Sequence, residues 1–463
     1  MIRPRLRTAV LVLLVIVLGS GAATGGYFET QALRRHHNAT VTVTPTVPAA
    51  LAQATERPTA DPVAASGPAA VAAAVTRALG SSVTSGGLGG RLLAQVVDVA
   101  TGKVLYSRHG ATVASPASTA KILTATAALA VYPASHRFTT AVLAGAPGTL
   151  VLVGGGDPTL TGAAPGRAGA YPGAARISDL AAQLKAKHLT VRRIVVDGAL
   201  FSGPSVSPLW EPSDVPTSYG APITAAMIDG GRDAPGDVVR SSAPDLAAGR
   251  ALAVALGDPG VPVTRGSAPA AAPLASVESA PLAELVEQML EASDNVIAED
   301  LARMVAVAEG TPASFVGGAR AIRTVLLRLG VDVGGGMHDG SGLAASDRLS
   351  PVALAGVLRL ISGPAHPALH VVLAGLPVAG WSGTLADRYL KGTSSAGGAG
   401  VVRAKTGTIT AVSSLAGLVH DRSGHLLAFA LIADQVGASQ GGTDDAEAAL
   451  DTVATRLAAC GCS

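Results

Sequence analysis

The chain has 463 residues, 48% of them apolar and 14% charged, with a formal net charge of +2. That length exceeds an average single domain, and the apolar fraction can build a sizeable core. No basic stripe with interleaved aromatics argues for nucleic acid, and two cysteines cannot by themselves make a structural zinc site.

At the N-terminus Arg3, Arg5 and Arg7 precede an unbroken apolar run over residues 9–18 and then small residues to Gly26. A positive flank before an apolar stretch places the following chain on the outer side of a membrane. Residues 1–28 are therefore read as a signal peptide or a membrane anchor. Gly21-Ala22-Ala23 would serve cleavage, whereas the stretch extended to Phe28 just spans a bilayer. Residues 29–74, rich in Ala, Pro, Thr and Val, read as a spacer.

Folded sequence is expected from Val75. Residues 91–99 and 103–107 read as strands joined by Ala100-Thr101-Gly102. A helix follows, with Pro116 in its first turn, Ile122, Ala125 and Leu129 on one face, and Pro133 as its stop. Residues 138–276 mix strand-like runs (149–153, 191–196), a helix-like run (177–188) and a linker-like Ala/Pro stretch (268–273); they read as one or more inserted domains. Near the other end, 401–409, 413–420 and 425–432 read as strands, the last two joined by the turn Asp421-Arg422-Ser423-Gly424. A helix over 444–459 closes the chain before Cys460-Gly461-Cys462, which is either a tight disulfide ring or a frayed tail. First and last strands around a helical middle imply an α+β fold with an antiparallel sheet flanked by helices. On this reading residues 75–137 and 277–459 form one domain, interrupted by 138–276.

Three short elements carry chemistry. Ser118-Thr119-Ala120-Lys121 opens the first helix, and a three-residue step stacks Lys121 on Ser118. A serine hydroxyl needs a base, and a lysine supplies one only when burial or another cation lowers its pKa. Lysine is scarce here, six residues against 28 arginines, which gives the pairing weight. Ser293-Asp294-Asn295 lies between two helical runs, where it can aim a hydroxyl and an amide into a cleft or merely cap a helix. Asn295 is the sole asparagine after Asn38. Lys405-Thr406-Gly407-Thr408 sits inside a strand; a glycine there suits close approach of a backbone or ligand, while a lysine on an edge strand also guards against aggregation.

In this order the three elements resemble those of the serine penicillin-recognising enzymes. The likeness is strongest to the D-alanyl-D-alanine carboxypeptidase/endopeptidase group of low-molecular-mass penicillin-binding proteins with inserted domains. Gly154-Gly155-Gly156-Asp157-Pro158, Asp197-Gly198-Ala199-Leu200-Phe201, Asp339-Gly340-Ser341-Gly342-Leu343, and Gly383-Thr384-Leu385 with Arg388 add to it, and the resemblance covers residues 88–457. It implies a transpeptidase-like fold that needs no metal or other cofactor, with peptidoglycan stem peptides and β-lactams as ligands, and leaves the oligomeric state open. It also implies roles: Ser118 as acylated nucleophile, Lys121 as its base, and Ser293 as proton relay. Asn295, Lys405, Thr406, Gly407 and Thr408 would bind substrate, Lys405 would also support Ser293, and the N–H groups of Ser118 and Thr408 would hold the oxyanion.

Three rivals remain. A class A β-lactamase uses a glutamate for deacylation, but none occurs between Glu309 and Glu447, and the 175 positions from Ser118 to Ser293 leave room for an insert. An α/β-hydrolase is suggested by Gly437-Ala438-Ser439-Gln440-Gly441, yet the last histidine, His425, precedes that serine. An inactive wall-binding paralogue would lack one of the key side chains, and all are present.

Overall fold

The computed structural model describes residues 70–462. The segment read as a signal or anchor, and the spacer up to residue 69, lie outside the described residues. In chain order the first elements are α1 (Ala72–Leu79), β1 (Leu92–Asp98), β2 (Val104–Arg108) and, after a 3-10 turn over Ala117–Ala120, α2 (Lys121–Val131). Then come β3 (Thr139–Ala144), β4 (Thr149–Val153), α3 (Ile177–Lys185), β5 (Arg193–Asp197), α4 (Pro244–Leu256), β6 (Val263–Arg265) and β7 (Pro273–Glu278). Helices α5 (Leu282–Glu291), α6 (Asn295–Ala308), α7 (Phe315–Arg328), α8 (Pro351–Ser362) and the one-turn α9 (Val371–Ala374) follow. The chain closes with β8 (Arg403–Ile409), β9 (Val412–His420), β10 (Leu426–Ala433) and α10 (Gln440–Ala458).

Five antiparallel strands form the first sheet in the order β2-β1-β10-β9-β8. The first and last strands of the chain meet at its centre, with Leu93 opposite Ile432. β1 is buried at every residue because it is covered on both faces. Leu93 and Val97 point into a core shared with α2 and α5 to α8, while Leu92, Ala94 and Val96 point into one closed by α1 and α10. Alternation between two cores explains why the strand reads as continuously apolar.

The second sheet, β6-β5-β4-β3-β7, pairs β4, β5 and β6 in parallel and β3 with β4 and β7 antiparallel. Ile177, Leu180 and Leu184 of α3 and Ala247, Ala248 and Leu252 of α4 cover it. Every one of these cores is closed by elements within residues 70–462. No single described helix is long and apolar enough to cross a bilayer.

Several boundaries differ from the sequence reading. α1 begins three residues before Val75, because Ala74, Val75 and Leu79 pack against the second core. The stretch read as a linker runs into β7, which pairs with β3 as far as Glu278. α10 begins four residues earlier than expected, where the Ser439 side chain accepts the Gly442 N–H as an N-cap. The Cys-Gly-Cys end is no frayed tail: Cys460 and Cys462 form a disulfide, both are buried, and the Cys462 carbonyl accepts the Val71 N–H at 2.7 Å.

Candidate active site

The turn that carries Ser118 is built by local geometry. The 3-10 turn has three residues per turn, so Ser118 lies directly over Lys121, the first residue of α2. The sequence reading put both on one α-helix; the tighter turn aligns them better. Ala117, just before the serine, has φ +46°, an unusual left-handed conformation for a residue with a Cβ. Gly342, opposite it, allows this, since a Cβ there would lie 2.0 Å from the Ala117 carbonyl oxygen.

Lys121 is fully buried, and its Nζ donates to Ser118 Oγ (2.9 Å), Asn295 Oδ1 (2.6 Å) and the Ser341 carbonyl (2.8 Å). Those three acceptors match the three protons of an ammonium. Burial lowers its pKa to about 8, against the opposing pull of Asp339, Glu299 and Asp294. Such an amine loses a proton readily, and Ser118 Oγ is then placed to donate to it. Ser118 is itself half-buried and reachable.

The second element divides its labour. Asp294 is the cap of α6, accepting the N–H groups of Val296 and Ile297 at 2.8 and 3.1 Å. The amide of Asn295 is thereby left to face Lys121, and its Nδ2 donates to the Tyr219 carbonyl at 3.1 Å. Ser293 has φ +57°, is half-buried and has no hydrogen bond among the described residues. Lys405 does not reach it: its Nζ donates to the Thr406 carbonyl at 2.9 Å, so the support expected for Ser293 is absent as a direct bond.

β8 is an edge strand, but the reading of Lys405 as an aggregation guard fails because the side chain is fully buried. Burial, with Lys121 and Arg388 nearby, pushes its pKa well down. Gly407 is where the Ser118 turn meets the strand: a Cβ there would lie 2.8 Å from the Pro116 oxygen and 2.9 Å from the Ser118 nitrogen. Ser414 on β9 fastens the same turn, its Oγ donating to the Pro116 carbonyl at 2.7 Å. Thr406 Oγ1 lies 2.8 Å from Thr384 Oγ1, and Thr408 Oγ1 donates to Glu447 Oε1 at 3.0 Å.

Other supports were not anticipated. Glu299 accepts the N–H groups of Gly340 (3.0 Å) and Ser341 (2.7 Å), which holds the Ser341 carbonyl on Lys121. Burial and Asp339 raise the Glu299 pKa to about 8. Glu299, Asp300 and Arg303 interrupt an otherwise apolar helix, a signal legible in the sequence. The inserted region braces the site from outside. Tyr171 Oη (2.7 Å) and Arg240 Nη2 (3.1 Å) donate to Asp294 Oδ2, and Trp210 Nε1 donates to Asp339 Oδ2 at 2.8 Å. Burial alone would raise the Asp294 pKa, but Arg240 and Arg232 outweigh it and hold that carboxyl well below the usual range. Ser439 Oγ caps α10, and His425 Nδ1 pairs with Asp421 Oδ2 at 2.9 Å, so no hydrolase triad forms there.

The family model described as the D-Ala-D-Ala carboxypeptidase 3 (S13) family matches residues 75–236 and 233–457. The chain is 45% identical over 381 residues to a carboxypeptidase of Mycobacterium tuberculosis, covering 81% of each chain. It is 40% identical over 465 residues to carboxypeptidase DacB of Mycolicibacterium smegmatis, covering 98% of this chain and 96% of that one. Its fold is similar to that of penicillin binding protein 4 from Haemophilus influenzae, with a TM-score of 0.66, 24% identity, and coverage of 83% of this chain and 98% of that one.

Proposed function

The chain belongs to the D-Ala-D-Ala carboxypeptidase 3 (S13) family, and on that premise we propose that it works through an acyl-enzyme on Ser118. It is a serine D-Ala-D-Ala carboxypeptidase and a penicillin-binding protein, acting on peptidoglycan outside the cytoplasm. Neutral Lys121 takes the Ser118 proton as Oγ attacks the carbonyl of the penultimate D-alanine. The tetrahedral oxyanion is held by the N–H groups of Ser118 and Thr408. Collapse breaks the C–N bond, and the leaving D-alanine nitrogen receives the proton by way of Ser293. Water then adds to the ester with Lys121 again as base, releasing the shortened peptide and restoring the serine hydroxyl. Asn295 orients the peptide, and Lys405, Thr406 and Thr408, with Gly407 giving room, receive the terminal carboxylate. The same acyl-enzyme serves cross-link cleavage, and residues 1–28 hold the enzyme at the membrane or release it.

One observation carries this reading: the buried Lys121 Nζ, with a pKa of about 8, lies 2.9 Å from Ser118 Oγ. Incubation with penicillin followed by peptide mass spectrometry tests it. A single adduct on Ser118 is expected, and an adduct on Ser293 or Ser439 would overturn it.

A further inference from the structure

The inserted region has two ends. At one, β3 leaves the catalytic core after Phe138, Phe201 packs against Arg303 of α6, and Arg303 donates to the carbonyls of Ser202 and Pro204. At the other, β3 turns back through Gly145–Gly148, and β4, β5 and β6 all begin side by side. The N–H groups of Arg192 and Arg193 both donate to the Gly148 carbonyl there, at 2.7 and 3.1 Å. This second end is the outer tip of the sheet, at the opposite end of β3 from the core that holds Phe138.

The tip is strongly basic. Lys185, Lys187, His188, Arg192 and Arg193 fall within nine residues, all exposed, and none is in an ion pair among the described residues. The stretch carries +4 in a chain whose net charge is +2, so the remainder is net acidic. The one acid in the adjoining turns, Asp258, accepts the Gly260 N–H. A helix C-terminus favours cations, which accounts for Lys185 and Lys187. It does not account for Arg192 and Arg193, nor does edge protection, because β5 is an interior strand. Within this run Leu189 is 43% exposed, and Ala146 and Pro147 in the β3–β4 turn are exposed as well.

We propose that this tip docks on an anionic phospholipid surface, its cations meeting lipid phosphates while Leu189 enters the headgroup region. Charge alone would suit any phosphodiester polymer, but an exposed leucine within the same nine-residue run gains only from an apolar layer beneath the phosphates. Docking by this end orients the catalytic unit away from the lipid.

The test uses a chain beginning at Pro62, which keeps every described element and lacks the apolar N-terminal run. Co-sedimentation with phosphatidylcholine vesicles containing about 30% phosphatidylglycerol should show binding that pure phosphatidylcholine lacks and that weakens with salt. At roughly a factor of five per cation, Lys187→Gln/Arg192→Gln/Arg193→Gln should bind about a hundredfold more weakly. Leu189→Ser should also bind more weakly with the salt dependence unchanged. Both variants should keep wild-type penicillin acylation, which shows that they fold. Failure to bind the anionic vesicles, full binding by the triple variant, or indifference to Leu189→Ser would overturn the proposal. Retention on a soluble polyphosphate without vesicle binding would overturn it in favour of a wall polymer.

Discussion

The two sheets are built on different terms. The antiparallel sheet is sandwiched, and its strands divide their side chains between two cores. The mixed sheet of the inserted region is covered by α3 and α4, which offer mainly Leu, Ile and Ala. The Ser118 turn packs against β8 and β9 of the first sheet, yet residues that steady Asp294, Asn295 and Asp339 come from the inserted region: Tyr171, Arg240, Tyr219 and Trp210. Ser118, Lys121 and Lys405 thus sit on one region of the chain, and several side chains that brace Asp294, Asn295 and Asp339 sit on the other. Rigid packing places a nucleophile, but a buried carboxylate such as Asp294 needs charged partners, and these reach it from the insert.

Four substitutions test how far that division holds. The largest effect is expected at Lys121→Arg, which keeps the charge but removes the base; acylation by a fluorescent penicillin should fall by roughly a thousandfold. In the wild type the acylation rate should rise with pH through about 8, as Lys121 loses its proton. A rate already on its plateau at pH 6, or a lively arginine variant, would remove Lys121 from the mechanism. Next comes Asn295→Ala, for which turnover should drop by roughly a hundredfold with little change in melting temperature, because Asp294 supplies the cap. A lowered melting temperature with normal turnover would reverse the assignment.

Arg240→Met separates brace from chemistry. Leaving Asp294 buried without its cation should cost about 3 kcal/mol in denaturant unfolding and slow acylation by roughly tenfold. The folded pKa of Asp294 is depressed, so its stabilising contribution is present above about pH 4 and fades as pH falls. In the variant the folded pKa of Asp294 moves up, so the pH-dependent loss ends at a higher pH, and the lower overall stability shifts the acid-unfolding midpoint upward. Unchanged acid unfolding would mean that the insert does not hold this carboxylate. The smallest effect is expected at Ser439→Ala: about 1 kcal/mol from the lost cap and unaltered acylation.

Much of the site was legible because the informative residues were rare and closely spaced. Ser118 and Lys121 need only one turn to meet, and a glycine inside a strand announced the close approach that Gly407 makes to the nucleophile turn. Less was legible for Ser293-Asp294-Asn295. Side chains that cap helices and side chains that bind substrates belong to the same types, and only coordinates divide the roles between Asp294 and Asn295. The strand reading of the two ends was accurate to within two residues, whereas the Ala-rich entry to α1 looked like spacer because its burial comes from α10 and β2, far along the chain.

Read alone, the order of amino acids determined which polar groups lie within reach of one another: a serine and a lysine one turn apart, an amide at a helix start, and a lysine and glycine in a strand. Those are properties of neighbours, set by local geometry and residue type. Tertiary structure decided what those groups become. The Lys121 amine reaches a pKa of about 8 because it is buried against Asn295 and Ser341, 174 and 220 positions away. Asp294 stays ionised because Arg240 is folded onto it from the inserted region. Burial and charge at a point are sums over everything packed around it, and no local stretch of sequence contains that sum.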